Sequence, residues 1–283
     1  MLQQKLTPRF TPGACVDENP RGWRLSIPSG KADAKAYRFA QLDDYTRLSR
    51  GRFPHRFPLR FSLLARTSSD SIPGTWGFGL WNDPFGMSLG FGGSPFRLPA
   101  LPNAVWFFGA SEENYLSFKE PAGFDTGGTS IRSTQPAAVN GFLAQTFRSP
   151  KFHPLLIPAG LALPFSRKMT RRLLGKVIGE DGVQLWSPAA RRRAQEQAPE
   201  LQSVDPTQWH RYNLNWSLRR VSFNVDDALV FESPVSPNPP LGLVIWIDNQ
   251  YAAFTPEGKM SMGVLENEEA WLEIRDVDLQ FVK

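Results

Sequence analysis

From residue 207 to residue 233 the chain reads TQWHRYNLNWSLRRVSFNVDDALVFES, and this stretch constrains the fold more than any other. Large side chains recur at every second position: His210, Tyr212, Leu214 and Trp216, then Val221, Phe223 and Val225, then Leu229 and Phe231. A period of two belongs to strands with one buried face. Asp226-Asp227 falls between the second and third runs, where a tight turn is required. Three consecutive antiparallel strands are expected.

Further strand candidates cover residues 23–27, 36–42, 59–66, 76–82, 104–110, 114–119 and 140–147 before this stretch, and 241–252 and 270–282 after it. Gly, Pro, Ser or Asp clusters bound each of them, as strand ends require. About a dozen strands suit two stacked antiparallel sheets. The 25 Pro and 23 Gly, scattered in short clusters, fit a turn-rich β protein, and 41% hydrophobic content supplies a core. The expected architecture is all-β, a jelly-roll β-sandwich forming one domain over residues 1–283, with a helical insertion at about 158–200. In that insertion Leu161, Phe165, Met169, Leu173 and Val177 fall at helical spacing, and residues 189–197 suggest a second short helix.

The 207–233 stretch resembles the "fHtYxIeWtpdxIxFyVDGxxV" segment of the concanavalin A-like lectin/glucanase superfamily, most closely glycoside hydrolase family 16. The run Gly74-Thr75-Trp76-Gly77-Phe78-Gly79-Leu80-Trp81 looks like that family's "GxWPAxW" strand. The resemblance implies a two-sheet jelly roll with a ligand cleft on its concave sheet. It also implies an acid-bearing E-x-D-x-E strand next in order, because period two would aim those carboxylates into one cleft, about 5 Å apart for a retaining pair. The strand that follows here is Ala104-Val105-Trp106-Phe107-Phe108-Gly109-Ala110-Ser111, with no carboxylate. Glu112 and Glu113 lie just beyond it, and adjacent residues point to opposite faces, so they read as a solvated turn. Asp276 and Asp278 share a face on the final strand, and Glu266, Glu268 and Glu269 crowd a loop.

What remains is an aromatic, glycine-spaced surface. The expected ligand-binding residues are Trp76, Trp81, Asn82, Trp106, Phe108, Trp246 and Gln250, with Asp248 as the candidate general acid/base. Gly77 and Gly79 either let a neighbouring sheet pack close or leave room for a ligand against Trp81. Alternation places Trp246, Asp248 and Gln250 on one face of an otherwise apolar strand, and a buried carboxylate needs a purpose or a partner. Arg60, Arg66, Arg132 and His210 are candidate partners. Gln41 to Tyr45 ends a strand in two acids, where Asp43 or Asp44 would cap a turn. His210 reads as a satisfied core residue, and His55 and His153 sit beside prolines without metal-ligand spacing.

The net charge of +5 is local: eight basic residues between Arg167 and Arg193 face only Glu180 and Asp181. A basic helix packed over a sheet edge, with its charges in solvent, accounts for this cluster, and membrane-surface contact is the alternative. Nucleic acid is not expected as a partner, nor is any metal or cofactor. One cysteine, Cys15, excludes an internal disulfide, and the first residues lack the apolar core of a signal peptide, so the expected location is cytoplasmic. Two functions follow: a binding protein that holds a glycan, a glycosylated molecule or a largely apolar small molecule without cleaving it, or a cyclase, isomerase or lyase using Asp248.

Overall fold

The computed structural model describes residues 6–31, 36–84, 97, 100–115, 140–149, 183–184, 195–254 and 259–282. In chain order the strands are β1 Thr7–Phe10, β2 Cys15–Asn19, β3 Gly22–Ile27, β4 Phe39–Asp43, β5 Leu59–Thr67, β6 Thr75–Trp81, β7 Ala104–Ala110, β8 Gly141–Arg148 and β9 Val183–Gln184. They continue with β10 Gln195–Gln197, β11 His210–Trp216, β12 Val221–Val225, β13 Ala228–Ser233, β14 Gly242–Asp248, β15 Gln250–Phe254, β16 Lys259–Val264 and β17 Ala270–Phe281. Among the described residues the helical content is one 3-10 turn at Arg50–Arg52.

Two seven-stranded antiparallel sheets stack to form the sandwich. The front sheet runs β1-β4-β14-β6-β7-β8-β10 and the back sheet β13-β12-β11-β5-β17-β3-β2, while β15-β16-β9 makes a small third sheet. Between the large sheets lies the core, built from the inward positions of each strand: Leu42, Phe78, Phe107 and Ile245 from the front meet Leu63, Tyr212, Phe223 and Leu272 from the back. Tyr212 packs 5.0 Å from Phe78 and 4.9 Å from Phe107, and Phe107 meets Phe223 edge-on at 5.2 Å. Such ring pairs add specificity of geometry to area burial.

The two sheets differ in how they face solvent, and their sequences differ accordingly. Strand β12 alternates buried and half-buried residues, whereas every residue of β7 and β14 is buried. A strand covered on both faces has no reason to alternate, so these strands read as continuous apolar runs.

The 207–233 stretch forms three antiparallel strands, with β11 paired to β12 and β12 to β13. Asp226 and Asp227 have φ of 48° and 67°, the two left-handed residues of a type I′ hairpin turn. His210 is satisfied, yet it lies at the sheet's end rather than in the core: its Nδ1 sits 2.6 Å from the Asp226 carboxylate and its Nε2 3.0 Å from the Asp205 carbonyl. It ties the turn to the preceding loop.

Three expectations change. Residues 241–252 form two strands, because Asn249 turns the chain out of the front sheet: its side chain accepts from Arg38 N and donates to the Ala36 and Leu265 carbonyls. In β17 the pairing slips between Arg275 and Asp278, with Asp276 at φ 50°, so the alternation that placed Asp276 and Asp278 on one face is interrupted. Most of the 158–200 insertion lies outside the described residues, as do most of 114–119. Its described pieces are extended: β9 pairs with β16, and β10 closes one edge of the front sheet on β8, which replaces the helix expected through 195–197.

The hairpin turn supplies a test. Asp227→Gly, which removes the Cβ from a left-handed position, should raise stability by about 0.5–1 kcal/mol, while Asp227→Val should lower it by at least about 1 kcal/mol. Thermal unfolding of the two variants checks both signs.

Candidate functional site

Alternation along each front-sheet strand sends one set of residues inward to the core and the other outward. On β7 Val105 and Phe107 point in, leaving Trp106 and Phe108 outward; on β14 Trp246 and Asp248 point outward; on β6 the outward set is Thr75, Gly77, Gly79 and Trp81. Register then sets Trp246 and Phe108 on either side of Gly77, and Trp106 beside Gly79. A Cβ at position 77 would lie 2.5 Å from the Phe107 carbonyl oxygen and 2.8 Å from the Trp246 ring, and one at 79 would meet Trp106 at 2.6 Å. The glycine face is therefore filled by rings from the neighbouring strands.

Those rings form a continuous wall. Trp81 stacks on Trp246 at 6.3 Å with planes 5° apart; Trp106 lies 5.7 Å from Trp81, 5.3 Å from Trp246 and 5.4 Å from Phe108. Trp106 is 5% and Trp246 9% exposed, and Trp81 is the most open of the three. Each indole N–H is committed: Trp81 donates to the Tyr45 hydroxyl (2.7 Å), Trp106 to Gln145 Oε1 (2.9 Å) and Trp246 to Thr75 Oγ1 (3.0 Å).

Polar groups edge the wall at both ends, and Gln41 flanks it from β4 beside Trp246, donating to Asp43 and the Tyr45 hydroxyl. Asp248, at the end of β14, is 8% exposed. Its Oδ1 accepts from Thr75 Oγ1 (2.8 Å), Thr75 N (3.2 Å) and Gln250 N (3.2 Å), and its Oδ2 from the Tyr37 hydroxyl (3.4 Å). Desolvation by burial nevertheless outweighs these donors and pushes the carboxyl from 3.8 up to about 7. At the other edge, Gln145 Nε2 donates to Glu196 Oε1 at 3.3 Å, with both residues buried.

The structure brings Trp81, Trp106, Phe108, Trp246 and Asp248 to one surface. Trp76 turns the other way and stacks on Phe142 in the core at 4.9 Å. Asn82 is spent on the loop, donating to the Leu101 carbonyl and accepting from Asn103 N. Gln250 belongs to β15 and reaches Asp248 through its backbone amide, since the turn at Asn249 ends the alternation. None of Arg60, Arg66 and His210 partners Asp248: Arg60 and Arg66 donate to Asn213 and Glu273, and His210 holds Asp226. Arg132 and His153 lie outside the described residues. Asp43 caps its turn as expected, accepting from Tyr45 N, Thr46 N and Thr46 Oγ1, while Asp44 pairs with buried His55 at 2.6 Å. Glu112 and Glu113 are exposed in a turn.

Residues that the sequence did not single out are Thr75, Gln145, Glu196 and Tyr37. Only register reveals Gln145, which pairs with Trp106 across β7 and β8. Among the described residues no cluster of three His, Cys, Asp or Glu could hold a metal ion, and no helix is long and apolar enough to cross a membrane.

No protein-family model matches the chain, and no curated protein does. Solved structures similar in fold include a glycoside hydrolase family 16 endo-glucanase from Bacteroides ovatus (9% identity, 99% of this chain and 96% of the other, TM-score 0.46). A legume lectin-like domain from Entamoeba histolytica (6%, 98% and 90%, 0.44) and LamAcat from Zobellia galactanivorans (12%, 93% and 79%, 0.41) are also similar. At such identities the chemistry has to be argued from this chain's own side chains.

Two expectations test the geometry. Gly77→Ala should cost at least about 2 kcal/mol, because the added methyl meets a backbone carbonyl that cannot retreat; chemical denaturation would show it. The second concerns pH. The folded protein holds the Asp248 proton up to about pH 7, whereas the unfolded chain releases it near 3.8, so this group's contribution to stability is present at acidic pH and is lost as pH rises to about 7. Asp248→Asn should remove that slope, gaining relative to the parent as pH rises from about 4 to about 7 in thermal melts.

Proposed function

We propose that the chain is a jelly-roll protein that binds a ring-bearing small molecule against the outward aromatic wall of its front sheet, without retaining-glycosidase chemistry. The observation that carries this reading is the meeting of Trp81, Trp106 and Trp246 from three adjacent strands on one surface, with a buried carboxylate at its edge. Aromatic faces gain from ring burial whatever the ring, and a few polar groups at the margin orient it. A retaining pair needs two carboxyl groups about 5 Å apart. Asp248 and Glu196 sit on β14 and β10, four strand spacings apart, which is about 19 Å at ~4.8 Å per strand.

A second reading is favoured by Asp248 itself. Held half-protonated near pH 7 beside an apolar surface, it could give or take a proton in a cyclisation, isomerisation or lyase step. In the binding reading Asp248→Asn should weaken affinity no more than about threefold. In the enzymatic one it should abolish turnover and leave affinity intact.

Titrating the protein with a panel of ring compounds and following tryptophan fluorescence tests the wall directly. Saturable quenching is expected, and Trp81→Ala should lower the affinity about tenfold. If no compound gives a response that depends on Trp81, the wall is a packing feature only.

A further inference from the structure

We propose that one end of the back sheet, where the β11–β12 turn meets the start of β5 and the end of β17, is a docking tip for an anionic lipid bilayer.

Register fixes which residues gather there. Leu59 of β5 pairs with Trp216 of β11 on one side and with Phe281 of β17 on the other, and Val282 N donates to the Pro58 carbonyl at 3.2 Å. The β11–β12 turn follows Trp216 directly: Ser217 N donates to the Arg220 carbonyl at 2.9 Å, which leaves Leu218 and Arg219 at its corner. Strands β11 and β17 flank β5, so the turn and the end of β17 stand about 10 Å apart. Both carry apolar side chains into solvent: Leu218 is 61%, Phe281 65% and Val282 50% exposed. Among the described residues the other exposed large apolar side chains are Phe10, on an edge strand of the front sheet, and Leu229, beside the opposite hairpin turn. Single exposed apolar side chains are ordinary, whereas three at one end of a sheet mark an interaction surface. A turn corner favours Gly, Asn, Asp or Ser, as Asp226-Asp227 shows at the other end of β12, so the turn itself does not call for leucine at 218.

Charge selects the occupant. Arg56 and Arg60 bracket the start of β5 and Arg219 shares the turn corner; all three are exposed, and among the described residues none of them pairs with a carboxylate. Arg60 donates to Asn213 at 3.1 Å. Arg220 is balanced by Glu232 at 3.2 Å, and Asp278 accepts from Gln280. The opposite end of the same sheet, where β5 stops and β11 and β17 begin, carries exposed Asp70, Asp205, Asp226, Asp227, Glu268 and Glu269. The sheet is thus polarised along its strands, and a negatively charged surface attracts the apolar-tipped end while repelling the other. A two-fold contact between copies through this tip would set Arg60 and Arg219 against their equivalents. A soluble polyanion would engage the arginines and leave Leu218 and Phe281 in water. A bilayer takes both: anionic headgroups meet the guanidinium groups, and the apolar side chains enter the headgroup–acyl boundary.

The full chain would be co-sedimented with vesicles of phosphatidylcholine alone and of phosphatidylcholine containing phosphatidylserine at about one lipid in three. Binding is expected to the anionic vesicles and not to the neutral ones, and it should fall at least about fivefold between ~0.05 M and ~0.5 M salt. Leu218→Ser with Phe281→Ser should weaken it at least about tenfold, and Arg56→Glu with Arg219→Glu by a similar factor. Leu229→Ser, the same exchange at the acidic end, should leave it unchanged. Leu218→Ser alone, at a corner where serine is favoured, should cost about fivefold and keeps the test decisive if the double variant melts early. Absence of binding to anionic vesicles, equal binding to neutral ones, or binding indifferent to the Leu218 and Phe281 exchanges would overturn the proposal. A dimer in sedimentation velocity that Leu218→Ser dissociates would assign the tip to a second copy and overturn it as well.

Discussion

The outward face of the front sheet depends on two missing side chains. Strand β6 runs between β14 and β7, and at Gly77 and Gly79 it carries nothing outward. Rings rooted on the strands either side therefore lie across it and touch: Trp246 from β14 meets Phe108 at 5.8 Å and Trp106 at 5.3 Å. Glycine within a strand costs roughly 0.5–1 kcal/mol relative to alanine. Each close ring pair returns about 0.5–1.5 kcal/mol beyond its buried area, and the wall contains several such pairs, so the rings outweigh the glycines. Any Cβ at position 77 would press on the Phe107 carbonyl and force the Trp246 ring to shift, disturbing its stack with Trp81.

The same wall sets the electrostatics at its edge. Asp248 is surrounded by indole, phenol and backbone, and water is excluded, which penalises its charged form. Four donors oppose that penalty, and the balance still favours the proton up to about pH 7. One of those donors, Thr75, is itself oriented by Trp246, so the aromatic stack and the carboxylate are coupled through a single hydroxyl. Asp43, by contrast, takes its donors mostly from its own turn.

The back sheet and the front sheet were not equally legible in the sequence. Strands β11 and β12 declare themselves because one face meets solvent, and the alternation of Tyr212, Leu214 and Trp216 survives in the structure; in β13 it does not, since its pairing with β12 shifts between Phe223 and Asn224 and Leu229 is 60% exposed. The front-sheet strands were located by their turns rather than their periodicity, and their two faces were harder to separate since both are apolar. Trp76 shows the consequence: it stands next to Gly77 in a run rich in aromatics, yet parity sends it to Phe142 in the core. Trp81, Trp106, Phe108 and Trp246 share the other parity and lie on the outward face. Gln250 was misjudged because a buried asparagine, Asn249, redirects the chain, and no local pattern distinguishes that Asn from one in a strand. Glu196 was hidden for a different reason: its stretch carries helical spacing, and only pairing with β8 reveals an edge strand.

The sandwich has tryptophans on both outer faces, and the difference between them explains why one face is the candidate site. On the back sheet Trp271 is covered by the Arg24 and Arg66 guanidinium groups at 4.5 and 5.3 Å, and Trp209 by Arg66 and Arg275 at 4.9 and 4.1 Å. Glu273 holds Arg24 and Arg66 in place from between them, at 3.3 and 2.8 Å. Each cation over a ring is worth about 0.5–1 kcal/mol at such exposure, and it occupies the face that a ligand ring would need. Front-sheet tryptophans are packed by other aromatic rings, and their polar edges are closed by the protein's own oxygens. One sheet thus uses its indoles to bind its own cations, and the other packs them against further aromatic rings.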